Sequence, residues 1–477
     1  MPCVAFSPDL TAPEQARYLY EHIPPGLFKV VEEDRTIAWR IAPEPFALSP
    51  HTLARIEQTG NDLLAFYRAL NALYTRSARG TAPAFIAEYL DMGKPEHIVR
   101  LSRQNRFKQD ITGVIRPDLI LGDDGFVAVE LDSVPGGMGF VGAMAQTYCR
   151  LGMESIGGAE GIAQGFADMI AATSGKEQPV VAIVVSEESK DYRPEMSWLT
   201  QALNELGNVN AYICAPQDVI FTEDALFVRL PDGREEKIDV LYRNFELFDL
   251  LNVPKQDLLL YAARHNRVKM TPPAKAQLEE KLAFALLAHP GLAPLWRAEL
   301  GPEIFKRLKL LFPLTWVIDP RPMPPQAVIH GLQVNGEPVG DWLRLAALGK
   351  SDRDFVVKPS GYSELAWGSR GVRVANDLSK EEWTETLLEA LREYQKTPRV
   401  LQRFHKGKRI RQSFFDEKTD QIRTFDGRVR LCPYFFVTGE RTKLGGILAT
   451  VAPADKRLIH GMSEAVMAPC AVKESGN

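Results

Sequence analysis

The chain has 477 residues, more than one ordinary hydrophobic core can organise, so roughly two to four domains are expected. A composition of 45% hydrophobic and 25% charged residues is that of a globular protein, and a net charge of −4 excludes a global basic field for nucleic acid or anionic membrane. No run approaches the roughly 20 apolar residues that cross a bilayer, the opening MPCVAFSPDLTAPEQ has no basic and apolar leader pattern, and the five cysteines (Cys3, Cys149, Cys214, Cys432, Cys470) lack metal-ligand spacing and read as buried thiols of a cytoplasmic protein.

Residues 1–104 read as a helical region. Its longest periodic segment, His51–Ala78, carries Leu53, Ile56, Leu63, Leu64, Phe66, Tyr67, Leu70 and Leu73 on one broad face and stops at Arg79-Gly80. The stretch Ile115–Gly142 (IRPDLILGDDGFVAVELDSVPGGMGFVG) then gives two apolar strands, Pro117–Leu121 and Phe126–Leu131, around a Gly-Asp-Asp-Gly turn. Side chains alternate along a strand, so Glu130 and Asp132 share a face. A three-residue loop Asp123–Gly125 with Gly125 at positive φ places Asp118 opposite Glu130 on that face; a two-residue Asp124-Gly125 turn places it on the other. Three carboxylates at one strand end repel unless a cation sits among them, and such hard oxygen ligands suit Mg²⁺. Phe140–Met153 follows as a helix.

From residue 178 short apolar strands alternate with helices: Val180–Ser186, helix Glu195–Leu206, Asn210–Cys214, a hairpin over Leu226–Lys237, and Ile238–Arg243. That alternation predicts a small α/β unit over 178–253 with a largely parallel sheet. Residues 254–340 read as helical, with Ala274–Ala288 amphipathic. Residues 341–471 hold a strand Phe355–Pro359 ending at Lys358, a glycine- and serine-rich loop, a strand Val372–Ala375, a helix capped by Ser379 and Glu382, a strand Arg399–Phe404, and antiparallel strands at Ile410–Phe415, Arg428–Val437 and Gly446–Val451. Val472–Asn477 read as a frayed tail.

Lys358 ahead of Gly361, Gly368, Ser369 and Gly371 supplies a cation for phosphate and a loop whose N–H groups can approach it, without Gly-Lys-Ser/Thr of a Walker A loop. Gly137-Met138-Gly139-Phe140-Val141-Gly142 matches a dinucleotide fingerprint, but the strand before it ends in Glu-Leu-Asp, two carboxylates beside any pyrophosphate, and a tight turn explains it better. The basic run Lys406, Lys408, Arg409 and Arg411 reads as a solvated face. Arg428 and Arg430 project from one strand face, to phosphate or to water. The eight histidines, His460 among them, show no clustered metal spacing, and no serine or cysteine sits in a nucleophile setting.

Together, Arg116-x-Asp118, Glu130-x-Asp132, Pro135-Gly136, Lys358 with its loop, and Gln402-Arg403-Phe404 resemble the ATP-grasp superfamily. The order, with Glu130 before Lys358, resembles its circularly permuted branch related to glutathionylspermidine synthase. The resemblance implies an α/β (α+β) ATP-grasp fold in permuted order: residues 105–177 the metal-binding part, 178–253 an inserted Rossmann-like pre-ATP-grasp domain, 341–471 the nucleotide-binding lobes, and helical extensions at 1–104 and 254–340. It implies Asp118, Glu130 and Asp132 as Mg²⁺ ligands, with Asp132 where the family has Asn. Lys358 becomes the phosphate lysine, Gly368–Gly371 the covering loop, Gln402–Phe404 the adenine hinge and Arg116 the oxyanion stabiliser. Beside these, Arg430 is expected among the catalytic residues and Arg428 among those that bind the nucleotide.

The function expected is an ATP- and Mg²⁺-dependent ligase joining a small-molecule or peptide carboxylate to an amine or thiol through an acylphosphate. Alternatives are a protein of this fold that binds nucleotide or peptide without ligation, phosphoryl transfer to a hydroxyl, and a Rossmann NAD(P) oxidoreductase. Arg243, at the end of a strand of the α/β unit, is the candidate substrate-carboxylate contact or a structural ion pair.

Overall fold

The computed structural model describes residues 10–24, 26, 27, 30, 31, 36, 37, 39–132, 134–324, 326–459 and 464–473; Cys3 and His460 lie outside these. Its largest element is an eight-stranded sheet. The long antiparallel pair Gln421–Thr438 and Arg441–Pro453 forms its middle. Val466–Val472 flanks one side, so Val472 ends a strand rather than opening a tail. The hairpin Val114–Leu121 and Phe126–Asp132 flanks the other, with Val114–Leu121 antiparallel to Gln421–Thr438.

Alternation along Gln421–Thr438 buries both faces of this sheet. Val429, Leu431 and Phe435 pack with Leu63, Phe66, Leu70 and Leu73 of the helix Pro50–Ala78, the broad face predicted for His51–Ala78. Cys432, Tyr434 and Phe436 pack on the other side against Phe140, Met144, Phe166 and Ile170 of the helices Met138–Arg150 and Gly161–Ser174. A buried phenylalanine such as Phe435 contributes about 1.5–3 kcal/mol of transfer free energy, so the sheet is anchored on both sides of the hairpin it carries.

The α/β unit is a four-stranded parallel sheet in the order Lys269–Thr271, Val240–Asn244, Val180–Val185, Asn210–Cys214. Val180–Val185 is buried at every position, as a near-continuous apolar run in a parallel sheet should be. A second four-stranded sheet is antiparallel, in the order Thr315–Val317, Arg399–Arg403, Phe355–Pro359, Arg373–Val374. Its helix Lys380–Arg392 begins at the expected capping box, with Glu382 N donating to Ser379 Oγ at 3.1 Å and Ser379 N to Glu382 Oε2 at 2.7 Å.

Two expectations change. The amphipathic helix predicted over Ala274–Ala288 is broken: a short 3-10 turn Ala276–Leu278 and the α-helix Leu282–Ala288 flank an irregular Glu279-Glu280-Lys281. Cys149 is disulfide-bonded, whereas Cys214, Cys432 and Cys470 are free, so the cysteine pattern does not describe five buried thiols. Among the described residues no helix is long and apolar enough to cross a membrane.

Candidate active site

The acidic hairpin places Asp118 directly opposite Glu130, and Arg116 opposite Asp132. The expected facing pair is present, but by a different route. Gly122 N donates to Gly125 O at 2.7 Å and Leu121 pairs with Phe126, so the turn has only Asp123 and Asp124 at its centre. That closure alone would slip the register by one residue. A bulge between Asp118 and Leu119 takes up the slip by leaving Val129 unpaired, which returns Asp118 to Glu130. Gly125, at φ 137, has the positive φ expected of it.

The bulge has a chemical consequence. Val129's carbonyl, freed from the ladder, accepts a hydrogen bond from Lys358 Nζ at 2.8 Å. The strand Phe355–Pro359 on the antiparallel sheet thus delivers its lysine onto the acidic hairpin of the large sheet. Lys358 is buried, and burial pulls its ammonium below the usual lysine range, offset in part by Glu130.

Each carboxylate of the trio is closed by cations. Asp118 Oδ2 accepts from Arg430 at 2.8 Å, and its Oδ1 lies 3.3 Å from Arg116 and 3.4 Å from the Cys432 thiol. Asp132 accepts from Arg116 at 2.7 Å, and Glu130 lies 3.0 Å from Lys281 Nζ. Burial pushes Asp118 up, but Arg116 and Arg430 outweigh it and hold it below the usual carboxylate range. Glu130 is lowered in the same way, burial being outweighed by Lys281 and Lys358. Asp132 is raised, because burial and the two neighbouring carboxylates exceed what Arg116 returns. Among the described residues no three His, Cys, Asp or Glu side chains converge as a bound metal would require, so the sequence's picture of converging acids is corrected to acids interleaved with cations.

Asp118, Glu130, Lys358, Gln402, Arg403, Phe404 and Arg430 all line one cleft between the two sheets, open to solvent. Gln402 donates from Nε2 to Thr315 Oγ1 at 3.3 Å, while its buried Oε1 has no partner. The N–H groups of the next two residues are committed: Arg403 N to Leu314 O at 2.9 Å and Phe404 N to Asp354 O at 3.0 Å. The Arg403 guanidinium lies 4.5 Å from the Phe355 ring centre.

The glycine-rich segment after Lys358 contains a short 3-10 helix, Glu364–Ser369, whose last residues are Gly368 and Ser369. Gly371 N donates to Leu365 O at 2.8 Å, closing the segment on itself. A Cβ on Gly371 would lie 2.8 Å from both that oxygen and Pro359 Cγ, so no side chain fits there.

Two arginines are spent elsewhere. Arg428 shares a strand face with Arg430 but turns to backbone carbonyls, Gly407 O at 3.0 Å and Ala454 O, fixing the loop at Gly407 that lines the cleft. Arg243 is fully buried, ion-paired to Glu279 and bonded to the carbonyls of Pro272 (3.3 Å), Phe245 and Pro273 (3.4 Å). Of the two roles considered for it, the structural ion pair is the one present.

The glycine fingerprint is filled from within. Gly137 N and Phe140 N donate to the two carboxylate oxygens of Glu195 at 3.1 and 3.3 Å, and a Cβ on Gly139 would lie 2.3 Å from Glu195 O. Burial lifts Glu195 to about 7, although the N–H groups of Phe140, Gly137 and Gly139 pull it down. A buried side-chain anion occupies the place of a pyrophosphate, and the strand before it belongs to an antiparallel hairpin rather than a parallel βαβ unit.

The sequence missed Glu279, Glu280 and Lys281. Besides Glu279 holding Arg243 and Lys281 holding Glu130, Glu280 accepts from Ser360 Oγ at 2.6 Å and pairs with Lys94, both side chains being almost wholly buried. The available signal was three consecutive charges within an otherwise apolar helical pattern.

No family model and no curated protein matches this chain. Among solved structures, a glutathione synthetase-like effector from Globodera pallida in its apo form superposes with a TM-score of 0.59 at 12% identity, covering 97% of each chain. A candidate gamma-glutamylcysteine synthetase from Methylobacillus flagellatus KT gives a TM-score of 0.41 at 12% identity over 80% of this chain and 85% of that one, and nothing is drawn from it. The chain therefore shares the fold of a glutathione synthetase-like protein along nearly its whole length.

Proposed function

We propose that the chain is an ATP- and Mg²⁺-dependent ligase that joins a small-molecule or peptide carboxylate to an amine, or a thiol, by way of an acylphosphate. The observation that carries this reading is the cleft itself: Lys358 from one sheet meets Glu130, Asp118 and Arg430 of the other along its wall, with an unsatisfied buried acceptor at Gln402. Three carboxylates against Arg116, Arg430, Lys281 and Lys358 make a face that suits a polyphosphate carrying a divalent cation.

Asp118, Glu130 and Asp132 are hard oxygen donors of the kind Mg²⁺ takes, but each is paired with an arginine or lysine, so they would hold the metal only by leaving Arg116, Arg430 and Lys281; bound there, the metal would neutralise charge on the transferring phosphoryl group. Lys358 binds the phosphates, the segment ending at Gly368, Ser369 and Gly371 covers them, and Gln402, with Arg403 and Phe404, receives the base. Arg116 and Arg430 hold the developing oxyanion, and each keeps a buried Nε without a partner for that purpose. The substrate end lies toward the C-terminal end of Val240–Asn244, where parallel strands present ligands. There Tyr242 Oη and Asn244 Nδ2 are buried without partners. The permuted ATP-grasp order follows from the same reading, since the metal-bearing hairpin precedes the lysine strand in sequence and lies beside it in space.

A screen of metabolites and short peptides that follows ADP release tests this. An acid and an amine together should release ADP and phosphate in equal amounts, and Glu130→Gln should slow that release by on the order of 10²–10³-fold. ADP release that survives Glu130→Gln unchanged overturns the metal assignment; a phosphate found on the product indicates transfer to a hydroxyl instead.

A further inference from the structure

A second cavity, of about 400 Å³ and open to solvent, lies at Thr315–Val317, the edge strand of the antiparallel sheet, within the size range of small-molecule sites. It shares no lining residue with the nucleotide cleft, although Thr315, which lines the cavity, accepts a hydrogen bond from Gln402, which lines the cleft. Its walls are mostly apolar. Leu286, Trp316, Ile329 and Trp342 are buried, while Met323 and Val328, which also line it, stay 38% and 54% exposed. The polar groups around it are largely spent on one another. Trp316 and Trp342 donate their Nε1–H groups to the carbonyls of His330 and Asp319, at 2.7 and 2.9 Å, so both indoles offer only carbon surface. Asp319 accepts from Tyr89 Oη at 2.7 Å and from Arg321 Nε at 2.8 Å, which closes the charge pair. What remains is His289 and His330, whose imidazoles have no hydrogen-bond partner among the described residues. Partial burial, with His330 nearby, holds His289 below the usual imidazole range, so at neutral pH its ring is uncharged and offers one donor and one acceptor.

We infer that this cavity is a second binding site, which takes a small, flat, uncharged ring compound against Trp316 and Trp342 and meets it at His289 with a hydrogen bond. Flat rings suit the site because indole surfaces attract other rings by offset or edge-on packing, beyond the area they bury. A charged ligand suits it poorly. Its charge would lose water against apolar walls and find Asp319 and Arg321 already paired with each other. An apolar hollow with a few polar groups to fix orientation is the usual form of a small-molecule site, and an occupant would cover Met323 and Val328, which otherwise face water. The inference stands apart from the nucleotide reading, since cleft and cavity are lined by different residues.

The test uses the full chain and Prodan, an uncharged flat naphthalene whose emission brightens and shifts to the blue in apolar surroundings. Wild type should bind it saturably. Ala288→Phe sets a ring into the cavity from the helix Leu282–Ala288 and should weaken binding by about tenfold or more, the worth of one ring-sized apolar contact. Val328→Glu, at an exposed position that spares the fold, places a charge on the apolar wall and should weaken it as well. Val372→Phe puts its ring into the nucleotide cleft instead and should leave Prodan affinity unchanged. Anilinonaphthalene sulfonate, a comparable ring system with a fixed negative charge, should bind about tenfold more weakly than Prodan or worse. Absence of saturable Prodan binding, or equal affinity in wild type, Ala288→Phe and Val328→Glu, overturns the site. Loss of binding in Val372→Phe places the probe in the cleft and overturns it too. Sulfonate binding as tight as that of Prodan overturns the uncharged class of ligand.

Discussion

Glu195→Gln gives a prediction that can be worked from the structure. Glu195 is fully buried, and its carboxylate accepts from the N–H groups of Gly137 and Phe140. Folding carries its pKa from 4.5 to about 7, a rise of about 2.5 units, and at about 1.36 kcal/mol per unit this amounts to about 3 kcal/mol. Below the unfolded pKa the group is protonated in both states and costs nothing. As pH rises from there to about 7 the unfolded chain gives up the proton while the native chain retains it, so stability falls; above about 7 the whole penalty stands. Glutamine has no such dependence, but it offers one carbonyl oxygen to two N–H donors, a pH-independent loss of about 1–2 kcal/mol. Urea unfolding of wild type and Glu195→Gln at pH 5 and pH 8 should therefore show the variant weaker at the lower pH and stronger at the higher. Because part of the penalty is already present at pH 5, the difference between the two proteins should move by about 2.5 kcal/mol in the variant's favour. A difference that stays constant within about 1 kcal/mol across that range refutes the account of Glu195 as a buried titrating cap.

Other consequences are as direct. Glu280→Gln leaves Lys94 buried without its counter-charge and should cost about 3–5 kcal/mol in urea unfolding, while the double substitution Lys94→Met with Glu280→Leu should recover most of that; equal losses in single and double variants would contradict the buried pair. Because Glu195 fills the glycine turn, titration with NADH should give no saturable fluorescence change, and a saturable one would reinstate a dinucleotide site.

The sequence reached the acidic hairpin, its facing carboxylates, Lys358, the parallel sheet and the capped helix, since each leaves a local mark: period-two alternation, a turn dipeptide, a strand-end lysine, a capping box. The opposition of Asp118 and Glu130 was expected from a loop length that is not present; a two-residue turn and a bulge at Val129 compensate each other. The bulge leaves no local mark, and the group that bonds the freed carbonyl, Lys358, comes from far along the chain. Thr315–Val317 and Lys269–Thr271 were missed because three-residue strands carry too few alternations to register. Gly161–Ser174 was missed because glycine and alanine blur the apolar period on a helix that packs closely, Gly165 lying where a Cβ would meet the Phe436 ring at 2.3 Å. Glu279-Glu280-Lys281 was read as a helix face because local pattern extends through it. Only tertiary pairing with Arg243, Ser360 and Glu130 pulls those residues out of helical geometry.

The central claim is that the cleft between the two sheets is a nucleotide site whose phosphate end is Lys358 and whose metal end is the acidic hairpin. Calorimetric titration with ATP, with and without Mg²⁺, of wild type, Lys358→Met and Glu130→Gln tests it most directly. Binding should require Mg²⁺ for full strength, weaken by about 10–100-fold in Lys358→Met, the worth of one charge-assisted hydrogen bond, and lose its Mg²⁺ dependence in Glu130→Gln. ATP binding that is equally tight in all three proteins, or absent in the wild type, would contradict the account.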